Sequence, residues 1–203
     1  MTDTLALVHR FEPGRPDRPP VLLLHGTGGD EADLLPLGRA VAPGSPLLSP
    51  RGAVLENGMP RFFRRLAEGV FDEDDLRRRA QELAAFITAA RERYSLAAPL
   101  ALGFSNGANI AAAVLLLHPE VLAGAVLLRP MVPLAVPPAA DLTGRRVLML
   151  SGAADPIVPA ENPARLAAQL AAAGASVDHR VLPTRHGLSQ ADVDLARAWM
   201  EAH

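Results

Sequence analysis

The sequence predicts an α/β protein with a mostly parallel central sheet of about seven strands flanked by helices. Two observations carry that expectation. Short apolar runs bounded by turn residues alternate with longer helical patterns along the chain, as in strand-helix-strand units. Several of these runs are rich in Val and Leu on both faces, the mark of strands buried at the centre of a parallel sheet. At 203 residues and 49% hydrophobic content the chain is long enough for a large core, and a single domain spanning 1–203 is expected.

The expected strands are Leu5 to Phe11, Val21 to His25, Leu47 to Ser49, Pro99 to Gly103, Gly124 to Leu128, Arg146 to Ser151 and Ser176 to Leu182. The first alternates apolar and polar residues and precedes the crossover units, which places it at an edge. The clearest helix runs from about Asp72 to Tyr94, where Leu76, Ala80, Leu83, Ile87, Ala90 and Tyr94 recur at spacings of four and three. Four acidic residues, Asp72 to Asp75, crowd its first turn, and Arg91 and Arg93 close its last, matching the helix dipole. Further helices are expected after Asp30 as N-cap, after Ser105, over Asn162 to Ala173, and from near Ser189. The segment Arg129 to Arg145 breaks the rhythm: Pro130, Pro133, Pro137 and Pro138 forbid a regular helix. It is read as an irregular loop, with apolar Met131, Val132 and Leu134 available to line a pocket.

Composition removes several function classes. The net charge is −2 and the isoelectric point near 6.3, so no field is present to gather nucleic acid or anionic lipid, and neither is expected as a partner. All twenty basic residues are Arg, which excludes Lys-based Schiff-base and P-loop chemistry. Without cysteine there are no disulfides, zinc thiolates or Cys nucleophiles. No His/Asp/Glu grouping has metal-ligand spacing, so no metal or cofactor is expected. The apolar runs are too short or too broken to span a bilayer, and the first residues lack a secretory pattern, so stable membrane insertion is not expected and a cytoplasmic location is.

The chemistry gathers at four strand ends. Gly103-Phe104-Ser105-Asn106-Gly107 matches G-x-S-x-G between a strand and a helix. In such an elbow a strained serine presents its hydroxyl outward, and the next N–H and the positive helix end face a developing oxyanion. By itself the pattern also suits a serine N-cap at a glycine-rich turn. His25-Gly26-Thr27-Gly28-Gly29-Asp30 follows the strand VLLL and is placed to supply a second oxyanion donor, the main-chain N–H of Thr27, beside that of Asn106. A phosphate-cradling loop is the rival reading, but no G-x-x-x-x-G-K or G-x-G-x-x-G is present; a tight strand-to-helix connection is the plain one, and His25 reads as structural. Serine needs a base, and the base needs an orienting acid. His186 in LPTRHGLSQ and Asp155 in SGAADPIVP both follow strands, on the same sheet edge as Ser105 and in the chain order Ser, Asp, His. The other histidines compete poorly: His9 and His179 fall inside strands, His118 closes a helix and His203 ends the chain.

HGTGGDE at 25–31, SPRG at 49–52, RFFRR at 61–65 and GFSNGAN at 103–109, with the Asp155 and His186 loops, resemble the phospholipase/carboxylesterase family of serine hydrolases. Its relatives are small bacterial carboxylesterases and acyl-protein thioesterases, and the likeness runs nearly end to end. The resemblance implies an α/β-hydrolase fold, Ser105 as nucleophile, His186 as general acid/base, Asp155 as its orienting acid, and Thr27 and Asn106 N–H groups as oxyanion hole. One departure is Arg185, which precedes the histidine where relatives often have glycine.

The expected activity is hydrolysis of short to medium acyl esters through an acyl-enzyme, without a cofactor. A thioesterase or lysophospholipase using the same triad, or a non-hydrolytic ligand-binding protein on this fold, are the alternatives. With only the proline-rich loop where larger relatives insert a lid domain, an open, shallow site is expected, touched by Phe104, Met131, Val132 and Leu134. Arg51 and the arginines of 61–65 are read as ion-pair partners of Glu56 or Glu68 rather than site residues. The apolar side of the last helix is available to a homodimer.

Overall fold

A computed structural model describes residues 5–202; His203 lies outside the described residues. In chain order the elements are β1 (His9–Glu12), β2 (Val21–Leu24), α1 (Leu35–Val41), β3 (Leu47–Pro50), β4 (Val54–Glu56), β5 (Met59–Arg61), β6 (Arg65–Ala67) and β7 (Val70–Phe71). The second half comprises α2 (Glu73–Tyr94), β8 (Leu100–Phe104), α3 (Asn106–Leu117), β9 (Gly124–Leu128), β10 (Arg146–Gly152), α4 (Glu161–Ala172), β11 (Ser176–Leu182) and α5 (Gln190–Glu201). The seven-stranded sheet has the order β1-β3-β2-β8-β9-β10-β11. Every pairing is parallel except that of β1, which lies antiparallel to β3 at the edge, as its alternating pattern predicts.

Successive strand residues point to opposite faces, so the continuous apolar strands feed two cores. Leu22 and Leu24, Ala125 and Leu127, and Val147 and Met149 enter one core, with α2, α3 and α4. Val21 and Leu23, Val126 and Leu128, and Leu148 and Leu150 enter the other, with α1 and α5. Helix α3 carries no solvent face, because Asn106 to Leu116 are all buried, which suits a helix held between the sheet and α2.

Three expectations shift. The first strand starts at His9 rather than Leu5. The helix predicted after Asp30 begins only at Leu35: Asp30 accepts the Ala32 N–H at 2.7 Å in a local turn, and Pro36 falls in the first helical turn, where its missing N–H costs nothing. The segment after β3, where no strand is expected, folds into two hairpins, β4–β5 and β6–β7. Asn57 and Gly58, with φ of 51° and 78°, take the left-handed conformations of a two-residue hairpin turn. That Asn-Gly pair, flanked by VLE and MPR, is the one local signal that the first hairpin leaves in the sequence.

Candidate active site

Ser105 stands between the end of β8 and the start of α3 with φ 52° and ψ −112°, a conformation that costs a non-glycine residue roughly 1–3 kcal/mol. The neighbouring glycines make the turn possible through space. A Cβ on Gly107 would lie 1.9 Å from the Leu24 carbonyl oxygen, and one on Gly103 would lie 2.5 Å from the Gly107 carbonyl oxygen. Helix α3 therefore starts pressed against the end of β2, and Ser105 stays half-buried at the sheet edge.

His186 bridges the two other polar groups. Its Nε2 lies 3.0 Å from Ser105 Oγ and its Nδ1 2.8 Å from Asp155 Oδ2. Asp155 is held by its own loop, accepting the Ile157 and Val158 N–H groups on Oδ1 at 2.9 and 3.2 Å. A carboxylate can only accept, so Nδ1 carries the proton and Nε2 is left to accept from the serine hydroxyl. Asp155 is 1% exposed and His186 19%, so the acid is shielded while the imidazole reaches solvent. The two loops are stitched together by Ala153 and Ala154 N–H groups donating to Leu182 and Thr184 carbonyls at 2.8 and 3.0 Å.

The glycine-rich turn after β2 is braced on one side by the β4–β5 hairpin, where Gly28 donates to the Pro60 carbonyl at 3.0 Å and Arg61 donates to Thr27 Oγ1 at 2.8 Å. Asn106 is the first residue of α3, whose N–H has no intrahelical acceptor. Among the described residues no acceptor takes the Thr27 N–H either. Asn106 Oδ1 accepts the Phe62 N–H at 2.8 Å and ties the hairpin region to the elbow.

His25 belongs to the framework. It is 1% exposed, donates from Nδ1 to the Gly26 carbonyl at 2.7 Å and accepts the Gly52 N–H on Nε2 at 2.9 Å. Burial pulls it below the ordinary histidine range, against the Gly26 carbonyl and the nearby Asp33, Asp30 and Glu31 carboxylates, so it stays neutral. His9 bonds Tyr94 and His179 bonds Ser151, both away from Ser105.

A groove of about 210 Å³ opens between the β6–β7 hairpin, the proline-rich loop and the start of α4, lined by Val70, Phe71, Val132, Pro133, Ala135 and Asn162 among others. Val132 is the one of the four expected contact residues that lines this groove. Phe104 packs its ring 5.4 Å from that of His186. Met131 is largely buried, its methyl reaching towards Gly69. Leu134 corrects the sequence expectation: it is fully buried in the core shared with α2, α3 and α4 and presents nothing to the groove. The loop turns inward because Asn109 and Asn162 accept the Met131 and Val132 N–H groups, each at 2.7 Å. The contacts made by those two asparagines, and by Arg129 beneath the His186 loop, were missed in the sequence because their partners lie far along the chain.

The arginines of the hairpin region pair locally. Arg61 and Arg65 both reach Glu56, at 3.1 and 2.9 Å, while Arg51 forms a two-point pair with Glu31 and Arg64 pairs with Asp72. Glu68 takes none of them among the pairs of the described residues.

The sheet order, the flanking helices and the strained serine at the β8–α3 junction define an α/β-hydrolase fold. No family model matches the chain. MhqD of Bacillus subtilis strain 168, a hydrolase by name, is 46% identical over 193 residues, covering 94% of this chain and 96% of that protein. The Bacillus cereus carboxylesterase structure is 44% identical with a TM-score of 0.95, covering 97% of this chain and 94% of that one. A carboxylesterase from Mesorhizobium loti is 35% identical with a TM-score of 0.93, over 100% of this chain and 98% of that one. The chain belongs to the carboxylesterase family of α/β-hydrolase-fold proteins.

Proposed function

We infer that the protein is a serine-dependent carboxylic-ester hydrolase working through an acyl-enzyme. The observation that carries this is the unbroken hydrogen-bonded line from Asp155 through His186 to a strained Ser105. Ser105 Oγ attacks the ester carbonyl carbon while His186 Nε2 takes its proton, and the carbonyl oxygen becomes an oxyanion received by the Thr27 and Asn106 N–H groups. Collapse of that intermediate breaks the bond to the alcohol, which leaves with the proton from His186. Water, deprotonated by the same Nε2, then releases the acid and restores Ser105. Asp155 holds the imidazole tautomer and stabilises the imidazolium. Short to medium acyl esters are the substrates this reading expects, because only the proline-rich loop stands where larger relatives insert a lid domain.

The test is intact-mass analysis after fluorophosphonate treatment of the protein, Ser105→Ala and His186→Ala, followed by turnover of aryl ester and thioester panels. A single adduct requiring both residues is expected, with esters favoured. A folded protein that takes no adduct and turns over no ester overturns the inference in favour of a ligand-binding role.

A further inference from the structure

The loop carrying His186, between β11 and α5, lies outside the regular elements, and its backbone is tied to the Asp155 loop by the Ala154 N–H on the Thr184 carbonyl. Beneath it lies Arg129, at the end of β9, with a fully buried side chain and φ of 55°. All three of its guanidinium nitrogens are engaged. Nε donates to the Arg185 carbonyl at 3.0 Å, and Nη2 donates to the Gly187 carbonyl at 3.1 Å and to Thr184 Oγ1 at 3.0 Å. Nη1 donates to the Leu150 carbonyl at 3.2 Å, and the fork closes on Asp192 at 2.7 and 2.8 Å. Asp192 in turn accepts the N–H and hydroxyl of Ser189, both at 2.8 Å, at the start of α5.

We propose that Arg129, with Asp192 as its counter-ion, is the positioning residue that sets His186 over Ser105. The inference rests on the serine-hydrolase reading of that pair. The carbonyls immediately before and after His186 both accept from one planar guanidinium, so the imidazole hangs between two points of a rigid fork. The same arginine bonds Leu150 within β10, and its own N–H donates to the Leu150 carbonyl at 2.8 Å, which fixes the fork to the sheet. Asp192 fixes it to α5. Fold stability alone does not require such a pair, since apolar residues of similar volume can replace a buried ion pair with little loss. Three of its bonds, to Thr184, Arg185 and Gly187, go instead to the loop whose placement the acyl-transfer geometry needs.

The experiment compares wild type, Arg129→Met and the double variant Arg129→Met/Asp192→Leu. Thermal unfolding, kcat and KM for an aryl acetate, and the rate of fluorophosphonate labelling are read for each. The double variant leaves no unpaired buried charge, so it keeps the test alive where the single variant fails to fold. The expected result is a folded double variant whose kcat and labelling rate fall about 10- to 100-fold, while KM stays within about threefold. Thr184→Val, which removes one loop acceptor and spares the ion pair, is expected to lower kcat by about threefold with an unchanged melting temperature. A folded double variant that labels and turns over at the wild-type rate overturns the role of Arg129 and leaves the serine-hydrolase reading standing. A wild-type protein that takes no adduct overturns both.

Discussion

His25 and His186 invite comparison because the sequence writes them alike: each follows a parallel strand at the same sheet edge and each precedes a glycine. Their surroundings make them opposites. His25 is sealed between a carbonyl acceptor and a backbone N–H donor, its ring packed 4.7 Å from that of Phe62. His186 has a carboxylate on one nitrogen and a hydroxyl on the other. A backbone N–H cannot surrender its proton to a neighbouring imidazole under these conditions, whereas a serine hydroxyl attacking a carbonyl can. What separates a structural histidine from a candidate base is therefore the partner on Nε2.

The sharpest way to break the comparison is to remove each histidine and read both activity and stability. Ser105→Ala and His186→Ala are expected to lower kcat/KM for an aryl ester by about 10⁴-fold or more, and Asp155→Asn by about 10³- to 10⁴-fold. His186→Ala should move unfolding free energy by only about 0.5 kcal/mol, since its side chain reaches solvent. His25→Phe should do the reverse. It strands the buried Gly52 N–H, costing about 1–3 kcal/mol in chemical denaturation, while the folded fraction keeps most of its activity. Loss of activity from folded His25→Phe as deep as that from His186→Ala would collapse the distinction.

Proton linkage sharpens it further. A histidine held below its unfolded value of about 6.5 binds fewer protons folded than unfolded in the window beneath that value. The stability it contributes is complete above that window and is lost as pH falls through it. Wild type should thus show a denaturation midpoint that drops as pH falls below about 6.5, and His25→Phe a shallower drop. His179, also pulled down by burial, contributes to the slope that remains. The smallest effect belongs to Glu31, whose carboxyl is held at about 2 chiefly by hydrogen bonding to Arg51. Its contribution is present above the ordinary carboxylate range and lost as pH falls towards about 2. Because Arg51 is 41% exposed, Glu31→Gln should cost at most about 1 kcal/mol in the same denaturation assay. It should also lower the His25 titration slightly, by removing one of the carboxylates that favour its protonated form.

The three residues of the candidate triad were legible because each lies within a few residues of the end of a recognisable strand, and parallel strands deliver their C-terminal ends to one edge. The helix after Ser105 was legible from its unbroken apolar run. Leu134 was misread because an apolar residue in a proline-rich loop carries no local sign of which way the loop folds. Its burial follows from Asn109 and Asn162, on α3 and α4, capturing the loop backbone. The two hairpins after β3 were hidden by their shortness, since strands of two or three residues leave almost no periodicity to detect.

The sequence alone determined the alternation of strands and helices, the edge place of β1 and the loops that bear Ser105, Asp155 and His186. Apolar periodicity and turn chemistry are local properties, written in neighbouring residues. Only the tertiary structure decided that the fork of Arg129 would close on Asp192, 63 positions away, and grip both sides of His186. A buried charge must find its counter-ion and acceptors wherever the packed chain brings them, and no local pattern records that meeting.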